Sequence, residues 1–348
     1  MESYDRWWQR DKARFLDAQG RPIADPAKLE RVKKLRIPPA WTDVRISPSA
    51  KAKIQAVGRD AKGRRQYIYH GDWTRSQAAA KYAKLVAFAA ALPRFRAVTS
   101  QALAGEGASR ERVLALVSRL IMSGCFRIGG ERYAKENKSF GIATLCNRHL
   151  TVGDTFLQFK FRGKRGIMQF RIVTDPELVA VMREVCALPG KRIFQYRRPD
   201  GSQAHVTGRD VNAYLKEVLG ASFSAKDFRT WNGTLMAAKV LAAYGPKETA
   251  SARKQVMVRT VRAVSRYLGN TPAIARASYI SPRVFEAYEQ GRTLVDFSPR
   301  GKRQARMIEA GHTAEELELI KLLAGSITIS LIPDSALTSQ ARGATLAG

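Results

Sequence analysis

The sequence predicts an α+β protein, in which a small strand-rich N-terminal domain precedes a larger, mostly α-helical domain that contains a β-hairpin. A length of 348 residues points to two domains, because one small core rarely organises so long a chain. Short segments between residues 31 and 70 have the composition of strands and turns. After residue 175 the apolar residues mostly have helical spacing.

The predicted N-terminal domain ends in a turn, a strand and a helix. Lys62, Gly63 and Arg64 predict the turn, and residues 65–70 follow as an alternating strand. An alanine-rich helix is expected over residues 76–92, and Pro93 is expected to end it because proline cannot continue the hydrogen-bond ladder.

The larger domain is expected to open with a helix that ends at Gly124, because residues 113–121 place their apolar side chains on one face. A hairpin follows, since segments 157–161 and 168–172 alternate apolar and polar residues around the loop 163–166. Near the C-terminus, Thr313 and Glu316 have the spacing of a capping box and predict a further helix.

The charge balance restricts the partners of this chain. Lys and Arg number 60 against 30 Asp and Glu, which gives a formal net charge of +30. Such an excess repels itself in a compact protein unless a polyanion neutralises it, so nucleic acid, RNA included, is the expected partner. No basic amphipathic helix or lipidation signal is found in the sequence, and a membrane partner is not expected.

The cysteines and histidines do not predict a metal site. Cys125, Cys146 and Cys186 lack the pairing of zinc ligands or of a disulfide framework, and the four histidines lack ligand spacing. We therefore expect no metal and no cofactor. The first residues lack the profile of a signal peptide, so a reducing, cytoplasmic location is expected.

Several basic residues occur in contexts that favour chemistry on phosphate, together with one tyrosine. A phosphoryl transition state gathers negative charge on its non-bridging oxygens, which guanidinium groups match in geometry, and a tyrosine can hold the phosphate covalently. A Walker A motif is missing, since Gly58–Gly63 spacing is followed by Arg64. In chain order, the residues are Arg127 after the first helix, Lys164 in the hairpin loop, Lys226 and Arg229 in a Lys-x-x-Arg pair, Asn270 in Gly-Asn-Thr-Pro, and Tyr279 after Ser278.

In this order the residues resemble the type IB DNA topoisomerases of the poxvirus and bacterial branch. The resemblance extends from about residue 31 to about residue 292. Its most specific parts are residues 227–230 and residues 133–145, the latter with Lys135, Glu136, Asn137, Gly141 and Thr144-Leu145.

The resemblance implies a role for each residue of the order. Tyr279 would be the nucleophile that forms a 3′-phosphotyrosyl bond, while Arg127 and Arg229 would hold the non-bridging oxygens. Lys164 would protonate the leaving 5′-oxygen, with Lys226 as a possible assistant. Asn270 stands where many family members have a histidine, and asparagine can donate a neutral hydrogen bond but cannot carry charge.

Ordinary structural roles are the alternatives for these residues. Tyr279 could be a half-buried tyrosine of the core, and Arg127 and Arg229 could be partners of structural ion pairs. Lys164 could simply touch phosphate, because neighbouring hairpin residues are also basic.

Residues 65–69 give the candidate DNA contacts of the first domain. Tyr67 and Tyr69 point to the same side of a strand, and exposed aromatics between basic residues suit base edges in a groove. The family uses a similar strand in this way, so Gln66, Tyr67 and Tyr69 are candidate base contacts, and Lys135 is a candidate DNA contact of the second domain. The alternative is that the two tyrosines pack beneath the sheet.

The resemblance implies an isomerase that relaxes supercoiled DNA without ATP or metal, with double-stranded DNA as its partner. We expect a bacterial, nucleoid-associated monomer whose two domains form a clamp around the duplex. The expected organisation is a DNA-binding domain 1–92, a linker 93–108, a catalytic domain 109–298 and a C-terminal extension 299–348 of unknown role.

Two other functions remain open from the sequence. A tyrosine recombinase or integrase shares the arginine pair, the hairpin lysine and the tyrosine, but usually has His-x-x-Arg where this chain has Lys226 and Arg229. A non-catalytic architectural DNA-binding protein would explain the charge, but it would not need the ordered residues.

Overall fold

The computed structural model describes residues 4, 6–12, 14–294 and 311–324. The chain divides into two compact units, Met1–Lys84 and Leu85–Gly348. The first is rich in strands and the second is mostly helical with small sheets, so the predicted α+β class is confirmed. Within the described ranges, no helix combines the length and apolar character needed to cross a bilayer.

The first unit is built on a five-stranded antiparallel sheet in the order β2-β1-β3-β4-β5. Its core is formed by Trp8, Val32, Val44, Ile46 and Ala56. Strands β3 to β5 confirm the strands predicted before residue 70, whereas β1, β2 and helix α1 were not predicted. The elements are β1 Trp8–Asp11, β2 Arg14–Leu16, α1 Pro26–Lys34, β3 Thr42–Ile46, β4 Ile54–Arg59 and β5 Arg65–Tyr69.

Helix α2, Gly71–Leu103, corrects the predicted helix end and the predicted linker. Pro93 lies inside this helix, so residues 93–103 are helical, and the boundary between the compact units falls between Lys84 and Leu85. A proline inside a helix leaves the carbonyl four residues earlier without its N–H donor. Here Nε2 of His312 donates to that carbonyl, the one of Ala89, at 2.8 Å. A side chain that is distant in the sequence thus takes the place of the missing donor.

The second unit surrounds helix α3, whose residues Val113, Leu116, Val117 and Leu120 are fully buried. As predicted, α3 ends at Gly124. The helices are α3 Arg110–Gly124, α4 Glu131–Asn137, α5 Pro176–Cys186, α6 Gly208–Leu219, α7 Ala225–Tyr244, α8 Ala250–Leu268, α9 Pro272–Tyr279, α10 Pro282–Glu289 and α11 Ala314–Ala324.

Two small sheets complete the second unit. The predicted hairpin is confirmed as β7 and β8, which pair antiparallel and are joined through a short turn, Lys164–Gly166. Strand β6 extends this sheet, and β9 pairs with β10. The strands are β6 Leu150–Val152, β7 Leu157–Arg162, β8 Met168–Val173, β9 Gln195–Arg197 and β10 Gln203–His205.

Helix α11 begins with the predicted capping box. The backbone N–H of Thr313 donates to the Glu316 carboxylate at 2.9 Å, and the N–H of Glu316 donates to the Thr313 hydroxyl at 3.3 Å. Glu316 also accepts two hydrogen bonds from the guanidinium of Arg96, at 2.8 and 3.0 Å. This part of the C-terminal extension therefore packs into the second unit, whereas residues 299–310 and 325–348 of the extension lie outside the described residues.

Candidate active site

The segment that carries Arg127 is held by two glycines that face each other. After α3 the backbone reverses at Cys125, and the N–H of Ile142 then donates to the carbonyl of Arg127 at 2.8 Å. A Cβ on Gly129, whose φ is +85°, would lie 2.7 Å from the backbone nitrogen of Gly141. Only glycine allows so close an approach, and this gives Gly141 in the segment 133–145 a physical role.

Arg229 projects from the first turns of α7 into the interior, where 3% of it is exposed. Its guanidinium donates to the carbonyl of Leu268 at 2.9 Å and to the carbonyl of Cys125. Nε of Arg229 is buried and has no hydrogen-bond partner among the described residues. The side chain is therefore fixed by backbone acceptors, and its charge is not neutralised by them.

The Gly-Asn-Thr-Pro sequence is a tight junction between two helices. Gly269 ends α8 with a φ of 62°, Thr271 caps α9 by accepting from the N–H of Ile274, and Pro272 is the first residue of α9. Pro at the first helical position and glycine after the last one are the residues that such ends favour. The junction leaves Asn270 as the one residue between the two caps.

Asn270 lies against Arg127 and keeps a free donor. Its Oδ1 accepts from the guanidinium of Arg127, which also donates to the carbonyl of Gly269 at 3.2 Å. The Nδ2 of Asn270 is buried and finds no acceptor within the described part of the chain. A buried unpaired donor is costly, so this amide group is well suited to an acceptor from a ligand.

Tyr279 is the last residue of α9 and is half-buried. The guanidinium carbon of Arg229 lies 5.1 Å from the centre of its ring. The structure thus brings Arg127 and Arg229 together with Asn270 and Tyr279, which belong to one short segment far from both arginines in the sequence.

Lys164 lies exposed at the tip of the hairpin, beside a small cavity that Arg127, Gln169 and Arg171 also line. The amide of Gln169 packs closely against Gly269, because a Cβ on Gly269 would lie 2.7 Å from its Nε2. Lys226 is exposed in the first turn of α7, three residues before Arg229. Lys164 is therefore placed beside the arginine group.

Arg171 is a member of the group that the sequence analysis missed. On β8 the apolar residues Met168, Phe170 and Ile172 are exposed, whereas Gln169 is buried and Arg171 is half-buried. The alternation of apolar and polar residues identified the two faces of the hairpin. It did not show which face is turned toward the interior of the second unit. The exposed apolar face was therefore unexpected, and so was the inward arginine.

The electrostatics of the site reflect three neighbouring guanidinium groups. Burial, followed by the charge of Arg229, lowers the pKa of Arg127 to about 10, and the interaction of Arg127 with Tyr279 opposes this shift. Burial also lowers the pKa of Arg171, and Arg229 adds to the effect. Among the described residues, no carboxylate lies within ion-pair distance of Arg127, Arg171 or Arg229. Such a cluster attracts an anion.

The candidate DNA contacts lie in different settings. On β5, an edge strand, Tyr67 and Tyr69 are 39% and 43% exposed with ring centres 6.0 Å apart. The tyrosines are thus not packed beneath the sheet. Gln66 points to the opposite face and donates to Asp60 at 3.0 Å, while Lys135 is exposed on α4.

Comparison with known proteins identifies the family. Residues 70–294 match the family described as eukaryotic DNA topoisomerase I, catalytic core, and residues 12–60 match the N-terminal domain of bacterial DNA topoisomerase IB. DNA topoisomerase 1B of Acanthamoeba polyphaga mimivirus is 30% identical over 268 residues, which are 75% of this chain and 80% of the relative. DNA topoisomerase 1B of vaccinia virus (strain Copenhagen) is 23% identical over 274 residues, 76% of this chain and 83% of the relative. The chain therefore belongs to the type IB DNA topoisomerase family and is an enzyme of that class.

Proposed function

We propose that this protein relaxes supercoiled DNA by cutting one strand through a 3′-phosphotyrosyl intermediate, allowing rotation, and resealing the strand. The observation that supports this most is a group of three neighbouring guanidiniums without a described carboxylate partner, one of which, that of Arg229, lies 5.1 Å from the ring of Tyr279. A phosphodiester in this position would supply the missing negative charge.

In the proposed reaction, the Tyr279 oxygen attacks the scissile phosphorus as its hydroxyl proton passes to water. The bond from phosphorus to the 5′-oxygen breaks, and that oxygen leaves as a hydroxyl after it receives a proton. One phosphodiester replaces another, so the reverse attack by the 5′-hydroxyl reseals the strand without ATP.

The assigned stabilising groups are Arg127, Arg229 and Asn270. The two guanidiniums would hold the non-bridging oxygens, where charge increases in the transition state. The Nδ2 group of Asn270, which lacks a described partner, would donate a further hydrogen bond to the same oxygens. The sequence left this role to the resemblance, and the unpaired amide gives it independent support.

The proposed proton donor to the 5′-oxygen is Lys164, with Lys226 in an assisting role. Support for Lys164 comes from its place at a hairpin tip beside Arg127, where a long side chain can enter a groove. Support for Lys226 is its position one helical turn before Arg229.

Binding is proposed to involve both units and a single protein copy. The adjacent rings of Tyr67 and Tyr69 suit base edges or thymine methyls, and Lys135 is proposed as a backbone contact. Gln66, on the opposite face of β5 and bonded to Asp60, is not assigned to the same base contact. We propose a monomer that acts on duplex DNA in the nucleoid of a bacterium, an origin that the N-terminal match supports.

Plasmid relaxation in the presence of EDTA and without ATP tests the proposal. The wild-type protein should relax the plasmid, and denaturant should trap a covalent protein–DNA adduct. Tyr279→Phe should bind DNA as well as wild type and form no adduct, because only the hydroxyl is lost. An adduct formed by Tyr279→Phe would overturn the assignment. Binding without relaxation by the wild-type protein would instead favour an architectural role, and joined strand-exchange products would favour a recombinase.

A further inference from the structure

Helix α7 touches the chain at the point where α9 ends, next to Tyr279. Gly233, one helical turn after Arg229, has no space for a side chain: a Cβ there would lie 2.6 Å from the carbonyl oxygen of Tyr279 and 3.2 Å from its Cβ. Real Cβ atoms do not approach a backbone oxygen so closely. The end of α9 therefore rests directly on the backbone of α7.

The next residue, Thr234, holds the same junction through its hydroxyl. Oγ1 of Thr234 accepts from the N–H of Ser281 at 3.1 Å. Its single proton points toward the carbonyls of Thr230 at 2.8 Å and Tyr279 at 3.3 Å. Thr234 is 0% exposed, so water cannot replace these bonds. One buried hydroxyl thus joins the residues on both sides of Ile280.

The same helix carries the arginine that faces the tyrosine ring. Arg229 is anchored to the carbonyls of Cys125 and Leu268, and its guanidinium lies 5.1 Å from the Tyr279 ring. A helix is stiff over such a short length, so residues 229–234 fix the distance between Arg229 and the tyrosine backbone.

We propose that Thr234 and Gly233 are positioning residues that set the line along which the Tyr279 hydroxyl attacks phosphorus. This inference rests on the proposed function of Tyr279. The two residues do not touch the substrate: they fix the backbone of the nucleophile relative to the arginine that holds the phosphate. A displacement of about 1 Å in a reacting group can reduce the rate by about 10².

The test compares Thr234→Val with Thr234→Ser in single-turnover cleavage at saturating enzyme. Valine has nearly the shape of threonine but lacks the hydroxyl, whereas serine keeps it. We expect Thr234→Val to cleave about 10- to 100-fold more slowly and Thr234→Ser to restore most of the rate. DNA affinity should be unchanged in both, so the defect should appear in the rate at saturation.

Thr260→Val on α8 is the matched control. Thr260 is also 0% exposed, and its hydroxyl donates only to the carbonyl of Val256, at 2.9 Å. Thr260→Val also removes a buried threonine hydroxyl from a helix, but it should cleave at the wild-type rate. Gly233→Ala is a second test of the junction, and it should reduce cleavage by about 10² where the chain folds.

A substrate with a 5′-bridging sulfur separates positioning from proton donation. The thiolate leaves without a proton, so this substrate should rescue Lys164→Ala but leave Thr234→Val slow. Three results would overturn the inference: Thr234→Val as fast as Thr260→Val, Thr234→Ser as slow as Thr234→Val, or rescue of Thr234→Val by sulfur. A covalent adduct in Tyr279→Phe, measured in parallel, would instead overturn the proposed function itself.

Discussion

Two places in the second unit hold buried or half-buried arginines in opposite electrostatic settings. Arg96 donates to both carboxylate oxygens of Glu316, and the exposed fractions of these side chains are 15% and 6%. Arg127 and Arg229 donate to carbonyls and to an amide oxygen, and no described carboxylate lies within ion-pair distance. The charge of Arg96 is thus neutralised within the protein by Glu316. The charges of Arg127 and Arg229 are not neutralised by any described carboxylate.

The presence or absence of a carboxylate partner separates arginines that stabilise the fold from arginines suited to binding an anionic ligand. Burying a charge without a counter-ion opposes folding, and the lowered pKa of Arg127 reflects this cost. A protein that maintains such a group gains stability when an anion binds. The ordinary interpretation of Arg127 and Arg229 as structural ion-pair partners therefore finds no support in the described contacts.

The largest effects are expected when Arg229 or Arg96 is replaced by methionine, because the first change should affect mainly the cleavage rate and the second mainly stability. Arg229→Met should slow cleavage by ~10²–10³, because transition-state charge loses a partner, and should lower the free energy of unfolding by only about 1 kcal/mol. Arg96→Met should lower the free energy of unfolding by about 3–5 kcal/mol, since it leaves the Glu316 carboxylate buried without its counter-ion, and should cleave normally at low temperature. Urea unfolding and single-turnover cleavage measure the two effects. Equal losses of stability in both variants would contradict the distinction.

Asn270 offers an intermediate effect, because it is a neutral group in the charged site. Asn270→Ala should slow cleavage by about 10², the cost of one lost donor. Asn270→His supplies another donor and should stay within about tenfold of wild type, or about 1.4 kcal/mol in the barrier. Asn270→Asp should be slower than the alanine variant, because a carboxylate would repel the phosphate. Cleavage of one suicide substrate by all three variants is the measurement, and a fast alanine variant would exclude a catalytic role.

A smaller effect on stability is expected when acid protonates Glu316 in its ion pair with Arg96. Burial alone would raise the pKa of Glu316, but the hydrogen bonds and charge of Arg96 outweigh it, and the pKa is lowered below 4.5. A carboxyl with a lowered pKa adds stability above its unfolded value, and this contribution is lost as the pH falls through the folded value. The difference in unfolding free energy between wild type and Glu316→Gln should therefore shrink as the pH falls below 4.5. A constant difference in urea titrations from pH 6 to pH 3 would contradict the assignment.

Local signals predicted much of the fold, whereas the resemblance supplied most residues of the proposed site. The end of α3 at Gly124, the hairpin and the cap of α11 depend on neighbouring residues and were predicted correctly. The junction at Asn270 was not predicted, although glycine and proline have known preferences at helix ends and gave a local signal for it. The strand pair β1 and β2 was missed, because its strands are only 4 and 3 residues long.

Features that depend on distant residues could not be predicted in this way. Pro93 has the local pattern of a helix end, and the side chain that satisfies Ala89 comes from His312. Arg171 was missed because alternation does not tell which face of a hairpin is buried. The contact between Gly233 and Tyr279 exists only when α7 and α9 are packed together.

The bond from His312 to Ala89 also sets an order of events during synthesis. The two residues are 223 positions apart, so a ribosome adding 5–20 residues per second needs about 10–45 s between them. In that interval the residues around Pro93 have been synthesised, but the carbonyl of Ala89 has no His312 to donate to it. Arg96 likewise has no Glu316 to bind. A nascent chain that stops at residue 294, where the family match ends, already carries every proposed catalytic side chain. In such a chain the carbonyl of Ala89 in α2 would still lack its donor. The second unit is therefore completed only when residues after 294 have been added.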